Sequence, residues 1–200
     1  GAIEEASRCF ERALASAPDY GNAWYNLGNA RFAVARLEEA ATAYRRALEL
    51  APEMYEAWTN LGMVERKRGE LEAATSSLQR AATLAPRDAS VWNELGACWF
   101  ARGEVDRAEA QFTRALELDD VFFEARLNRA QCRRRRAALG AAEEDLRYAI
   151  DHGANDIALH RELGATLKLQ GRTQEAIAVY RDALDERFDV TTYSGYLLSL

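Results

Sequence analysis

Apolar residues in this chain follow two superposed rhythms. Within short windows they fall at i, i+3, i+4 and i+7, the spacing that lines one face of an α-helix. Trp92, Leu95, Gly96 and Trp99 form one such stripe, and Leu37, Ala40, Tyr44, Ala47 and Leu48 form another. The stripes themselves return every 34 residues. Trp24 maps onto Trp58 and Trp92, and Leu27-Gly28 onto Leu61-Gly62, Leu95-Gly96 and, after one omission, Leu163-Gly164. The three prolines, Pro18, Pro52 and Pro86, are also 34 apart. A fixed period of this size marks a stack of supersecondary units, each unable to bury its apolar face alone.

Counting Gly21 as position 1, complete units run 21–54, 55–88, 89–122, 123–156 and 157–190. Residues 1–20 supply the second helix of a truncated unit, and 191–200 open a further unit or a cap. The whole is expected to be a single solenoid domain. Each unit predicts two helices, the first with core positions 4, 7, 8 and 11, the second with 17, 20, 24, 27 and 28. A glycine at position 15 (Gly69, Gly103, Gly171) suits the left-handed turn between them. Proline at position 32 ends the second helix, since it has no N–H to donate and restricts the residue before it. Positions 20 and 27 are alanine in every copy, Ala6 to Ala176 and Ala13 to Ala183, which predicts close approach of helix backbones there.

The length, the Trp-x2-Leu-Gly pattern, the small residues at 20 and 27 and the closing proline resemble the tetratricopeptide repeat (TPR) family over almost the whole chain. The fourth unit, which starts at Phe123, departs most, and the fifth has His160 where tryptophan is usual. The resemblance implies an all-α, right-handed α-solenoid of stacked antiparallel helix pairs. It also implies a concave surface, lined by first helices, that binds peptides.

Composition narrows the classes. About half the residues are apolar (48%) and 29% are charged, with helix formers abundant. A net charge of −6 argues for solubility and against broad nucleic-acid affinity. No apolar run approaches the length of a membrane span. Cys9, Cys98 and Cys132 form no C-x-x-C pair, so neither a zinc site nor a disulfide framework is expected. There is no signal segment at the start, which begins mid-unit, so the chain reads as a fragment and a cytoplasmic setting is the default expectation.

If positions 4, 7, 8 and 11 face the core, positions 2, 5, 6, 9, 12 and 13 face away, at 100° per residue. The candidate peptide-binding residues are therefore Tyr25, Asn26, Asn29 and Phe32, then Asn60, Met63, Arg66 and Lys67, then Asn93, Glu94 and Phe100. The later units add Asn128, Gln131, Arg134 and Arg135, then Arg161 and Lys168. Position 6 reads Asn26, Asn60, Glu94, Asn128, Glu162. A carboxamide offers both donors and an acceptor to a peptide bond. The row resembles the asparagine ladder of O-linked N-acetylglucosamine transferases, interrupted by the two glutamates. Family members that clamp a C-terminal carboxylate use cations where Tyr25, Ser90 and Glu94 stand, so that mode is excluded.

In the fourth unit, Arg126, Arg129 and Arg133 occupy positions 4, 7 and 11. Unpaired guanidinium groups are intolerable in a core. Their stems are expected to pack while their heads reach Glu143, Glu144, Asp145 or solvent. A hinge is one alternative, and an anion or RNA site another. His152 and His160 lack the partners of a triad or metal site, and no phosphate loop is present, so no catalytic residues, metal or cofactor are expected. The sequence predicts a protein-interaction scaffold for a protein or extended peptide, with no nucleic-acid partner expected. The alternative is the substrate-recognition arm of a larger enzyme such as a glycosyltransferase. Apolar residues near the end, Tyr193, Tyr196, Leu197 and Leu198, predict that isolated copies associate end to end or fray there.

Overall fold

The computed structural model describes residues 2–154, 156–186, 194 and 196. Among them there are eleven helices and no strand. They run α1 (Ala2–Ser16), α2 (Gly21–Ala33), α3 (Leu37–Leu50), α4 (Tyr55–Lys67), α5 (Leu71–Leu84) and α6 (Ala89–Ala101). Then follow α7 (Val105–Leu118), α8 (Phe123–Arg135), α9 (Leu139–Asp151), α10 (Ile157–Leu169) and α11 (Thr173–Glu186). Two compact units divide the chain, Gly1–Gly103 and Glu104–Leu200. In the first, α2 pairs with α3 and α4 with α5, and α4 also touches α2 and α6. In the second, α8 pairs with α9 and α10 with α11, and α10 touches α8.

The small residues set the helix spacing. Ala40, Ala47, Ala74 and Ala81 are fully buried in the first unit, as are Ala108, Ala115, Ala142, Ala149 and Ala176 in the second. In α1 the matching Ala13 is exposed, so burial at position 27 is not general. Gly28 lies against the ring of Tyr44, and a Cβ there would come within 2.5 Å of its Cε1. The helices must touch closely at that point, and only glycine permits it.

Position 4 is not the deep core position the periodicity predicts. Trp24, Trp58 and Trp92 are half-buried. Each indole N–H donates to the carbonyl of the proline six residues before it, Pro18, Pro52 and Pro86, at 2.8, 2.8 and 3.0 Å. An amphipathic ring with one polar edge suits such a boundary place. The neighbouring position 3 lies deeper, with Ala57, Val91 and Ala125 wholly buried. Position 10 is buried too, by Val64, Cys98, Cys132 and Thr166.

The turns inside the pairs use the left-handed region. Gly69, Gly103 and Gly171 have φ near 80° (81°, 81° and 79°), and where the sequence offers alanine instead, Ala35 and Ala137 adopt φ of 58°. Of the expected terminal apolar face, Tyr193, Leu197 and Leu198 lie outside the described residues, whereas Tyr196 packs against the core around Leu163 and Tyr180.

Candidate peptide-binding surface

In the first unit the outward side chains of α2 and α4 are tied together. Asn60 Nδ2 donates to Asn29 Oδ1 at 2.9 Å and to the Tyr25 hydroxyl at 3.4 Å. The Tyr44 hydroxyl, reaching up from α3, donates to the same Asn29 oxygen at 2.8 Å. Burial pushes the Tyr44 phenol well above its ordinary value, and the nearby Tyr25 adds to the shift, so Tyr44 stays a donor. Tyr25 leans on Tyr44 with ring centroids 6.0 Å apart. Asn26 is exposed, while Tyr25, Asn29, Phe32, Asn60, Met63 and Phe100 are half-buried. The Lys67 ammonium sits 5.8 Å over the Phe32 ring, within range of a cation–π attraction.

One expectation for this face changes. Asn93 is 1% exposed and offers no surface to a ligand. With Thr59 also buried at position 5, that position turns inward, because α4 and α6 touch each other as well as their own partners. Glu94, which interrupts the asparagine row, is not a lone charge. Arg66 Nη2 donates to its Oε2 at 3.0 Å.

The second unit repeats that pairing. Arg134 Nε donates to Glu162 Oε2 at 3.0 Å, across the same separation of 28 residues. Asn128, Gln131 and Arg161 are half-buried there, and Arg135 and Lys168 are exposed. Tyr180, beneath α10 as Tyr44 is beneath α2, has its phenol raised by burial and by the Glu162 charge.

The arginine-rich helix resolves into a buried charge cluster. Asp145 on α9 is 2% exposed. Arg129 grips it with two bonds, Nη2 to Oδ1 at 2.6 Å and Nε to Oδ2 at 2.9 Å. Arg133 Nη1 adds a third at 2.9 Å, and Arg126 approaches at 3.5 Å. Arg126 Nε and Nη2 also donate to the Asp120 carbonyl at 3.0 and 2.7 Å. That carbonyl stands where a proline carbonyl receives the indole in earlier repeats, so Arg126 takes over the tryptophan's bond. Its guanidinium lies 3.5 Å from the Tyr148 ring. Arg133 and Arg136 both donate to Glu109, at 3.1 and 2.7 Å. Burial disfavours ionisation of Glu109, but these two hydrogen bonds outweigh it and hold the carboxyl below its ordinary range. Of the acids expected to receive the arginines, Glu143 instead binds Arg147 and Arg172, at 2.8 and 2.6 Å. The guanidinium groups of Arg126, Arg129 and Arg133 are thus spent inside the unit.

Among the described residues no group of three or more His, Cys, Asp or Glu is placed to hold a metal ion. Among the described residues, too, no helix is long and apolar enough to cross a membrane. His152 stacks on Tyr148 with centroids 3.8 Å apart, and His160 is half-buried. Cys98 and Cys132 are fully buried. Burial raises both thiols, that of Cys132 up to about 12.

Two residue sets escaped the sequence reading. Tyr44 belongs to a second helix, yet its hydroxyl organises the outward face; the signal was a tyrosine opposite each of Gly28 and Gly164. The Arg66–Glu94 and Arg134–Glu162 pairs were legible as a covarying couple. Position 12 followed by position 6 of the next repeat reads Phe32/Asn60, Arg66/Glu94, Phe100/Asn128, Arg134/Glu162.

Tetratricopeptide repeat family models match residues 1–55, 28–89, 60–121 and 100–157, and a further one matches 158–192. No curated protein matches the chain by sequence. Among solved structures, the APC/C hetero-tetramer Cut9-Hcn1 matches with a TM-score of 0.85 at 22% identity, over 99% of this chain but 39% of that one. PilF of Pseudomonas aeruginosa matches with a TM-score of 0.85 at 18% identity, over 100% of this chain and 91% of that one. YrrB, a TPR protein described as having an unusual peptide-binding site, matches with a TM-score of 0.71 at 20% identity, over 93% and 96%. At 18–22% identity these likenesses speak for the fold alone. The family models span nearly the whole sequence, and with them the chain belongs to the tetratricopeptide repeat family and is an all-α helical repeat solenoid.

Proposed function

We propose that this chain is a protein-interaction scaffold whose first-helix face binds an extended peptide or a segment of a partner protein. The observation that carries the reading is the locked row on α2 and α4. Tyr25, Asn29 and Asn60, fixed by one another and by Tyr44, stand beside Phe32 and Met63. Aromatic and thioether surface next to oriented amides binds side chains and backbone together, and groups held before binding cost little entropy to use. YrrB, of the same fold, is described as binding peptide.

The ladder reading of the asparagines is weaker in detail. Both hydrogens of the Asn60 amide point at Asn29 and Tyr25, so a peptide carbonyl would have to compete for them. We favour contact through the exposed Asn26 and the apolar surface of Phe32 and Met63. The test is a photo-crosslinking amino acid placed at Met63, with a control at the exposed Gln79 on α5. Crosslinks to one polypeptide from Met63, suppressed by the N29A/N60A double change and absent from Gln79, support the reading. Equal labelling from both positions refutes it.

A further inference from the structure

Position 11 of the first helix lines a slot on the side of the helix opposite the proposed peptide face, and successive repeats fill it differently. In α2 it is Arg31, whose guanidinium pairs with Glu11 and with Glu39 (3.2 Å) beside Trp24 and Leu27. In α6 it is Trp99, 8% exposed, with the Arg102 guanidinium stacked 4.7 Å from its ring. In α4 it is Glu65, which is shorter than either. The residue is 3% exposed, and its carboxylate accepts from Ser77 Oγ at 2.8 Å and Arg45 Nη2 at 3.0 Å. An open cleft of about 420 Å³ results, against about 270 Å³ beside Arg31. Trp58, Leu48 and Leu61 wall it, and Glu49 joins Glu65 at its lining.

We propose that this cleft is a binding site for the arginine side chain of a protein partner, separate from the first-helix face. The shape argument is internal: one repeat earlier the same slot holds a guanidinium between two carboxylates, next to the equivalent tryptophan. The charge argument is that Glu65 meets one cation in the cleft, Arg45, while Glu49 accepts from Arg46 at 2.7 Å through Oε2 and keeps Oε1 for a second donor. The Arg45 side chain is 49% exposed and leaves Glu65 at little cost, whereas Glu65 is fixed by Ser77. An incoming guanidinium replaces Arg45 on Glu65, reaches Glu49, and lies on the indole face. The fork geometry and the stacking both favour a planar cation over an ammonium.

The test is an NMR titration of the 15N-labelled chain with N-acetyl-arginine amide, up to about 50 mM so that a millimolar site saturates. The Trp58 indole N–H is read against those of Trp24 and Trp92. N-acetyl-lysine amide and N-acetyl-citrulline amide serve as probes without the plane or without the charge. A saturable Trp58 shift is expected with the arginine probe, at least tenfold weaker with the citrulline probe and weaker with the lysine probe. E65Q should weaken binding at least tenfold. Because E65Q also disturbs Ser77 and Arg45, R45A is the decisive variant. It removes the competing guanidinium and should tighten binding at least threefold. An R45A variant that binds no better, a citrulline probe that binds as well as arginine, or no saturable shift at Trp58 overturns the proposal. N29A/N60A should leave the titration unchanged, which keeps this site distinct from the peptide face.

Discussion

Asp145 gives the sharpest test of how the fourth repeat is built. Replacing it with asparagine keeps the volume and removes the charge on which Arg126, Arg129 and Arg133 converge. Breaking a buried pair from one side costs about 3–5 kcal/mol, because the remaining charges stay desolvated. The three guanidinium groups have side-chain exposures of 12%, 13% and 20%. Arg133 also keeps Glu109. Partial retreat to water should therefore hold the loss near the lower bound, ~3 kcal/mol. For a chain of 200 residues that lowers the melting temperature by about 6–12 °C. The chain offers a convenient reporter pair. All four tryptophans, Trp24, Trp58, Trp92 and Trp99, lie in the first compact unit. In urea, D145N should lose far-UV circular dichroism well before tryptophan fluorescence changes, since damage in a repeat array stays near its source. The mirror experiment replaces Asp145 and the three arginines on it, leaving Glu109 to Arg136, with residues that other repeats carry at these positions: R126W, R129L, R133L and D145A. Removing every member of a buried ionic group at once is commonly neutral or stabilising by about 1–4 kcal/mol. A D145N loss below ~1 kcal/mol, or a fourfold variant less stable than D145N, would refute the claim that these charges are buried and mutually dependent.

Gly28→Ala should destabilise by about 1–3 kcal/mol in urea titration, because its Cβ would meet the wholly buried Tyr44 ring, and Gly62→Ala should act likewise against Leu78. Ala35→Gly and Ala137→Gly should do the reverse, raising stability by up to about 1 kcal/mol by relieving left-handed backbone at φ of 58°. With a thiol reagent at neutral pH, one group, the exposed Cys9, should react in the folded chain, with Cys98 and Cys132 following only on unfolding. Glu109 and Glu143 have carboxyls held below their ordinary 4.5 by arginine hydrogen bonds that outweigh burial. The unfolded chain therefore binds protons first, and their stabilisation, complete above that value, should fade as pH falls through the lower folded values. Circular-dichroism melts of the chain between pH 6 and about 3 check this direction.

The period of 34 and the alanines at positions 20 and 27 made the stacked helix pairs legible, because close helix contact leaves a plain compositional mark. The tryptophans misled. Their recurrence marks a repeated hydrogen bond to the Pro18, Pro52 and Pro86 carbonyls at the edge of the core, not the deepest burial. An apolar stripe treats a helix as having one inner and one outer face. Here a first helix is covered by its partner and by its neighbours, so Asn93 and Thr59 turn inward although the wheel points them out. Side-chain partners were harder still. Tyr44 and Asn29 are 15 residues apart on different helices, and nothing in hydrophobic spacing encodes that meeting.

The departures of the fourth repeat show what this architecture needs at each position. Arg126 has none of the tryptophan's shape, yet it retains both of that residue's functions: two N–H donors reach the Asp120 carbonyl, and the planar head packs on Tyr148. Arg129 stands where Leu27, Leu61, Leu95 and Leu163 stand, and survives burial because Asp145 appears on the facing helix, where Ala43 and Ser77 sit in earlier repeats. The requirement is thus a donor for one carbonyl and a partner for each buried charge, which apolar or ionic residue sets meet equally. The same rule governs the outward face, where Arg66 with Glu94 and Arg134 with Glu162 alternate in sequence with Phe32 and Asn60 and with Phe100 and Asn128. In this array a single arginine or glutamate therefore identifies a ligand site only when its partner on the adjoining helix is exposed enough to be displaced. By that criterion Glu65, held by a half-exposed Arg45 above an open cleft, is a stronger candidate than the arginines of α8.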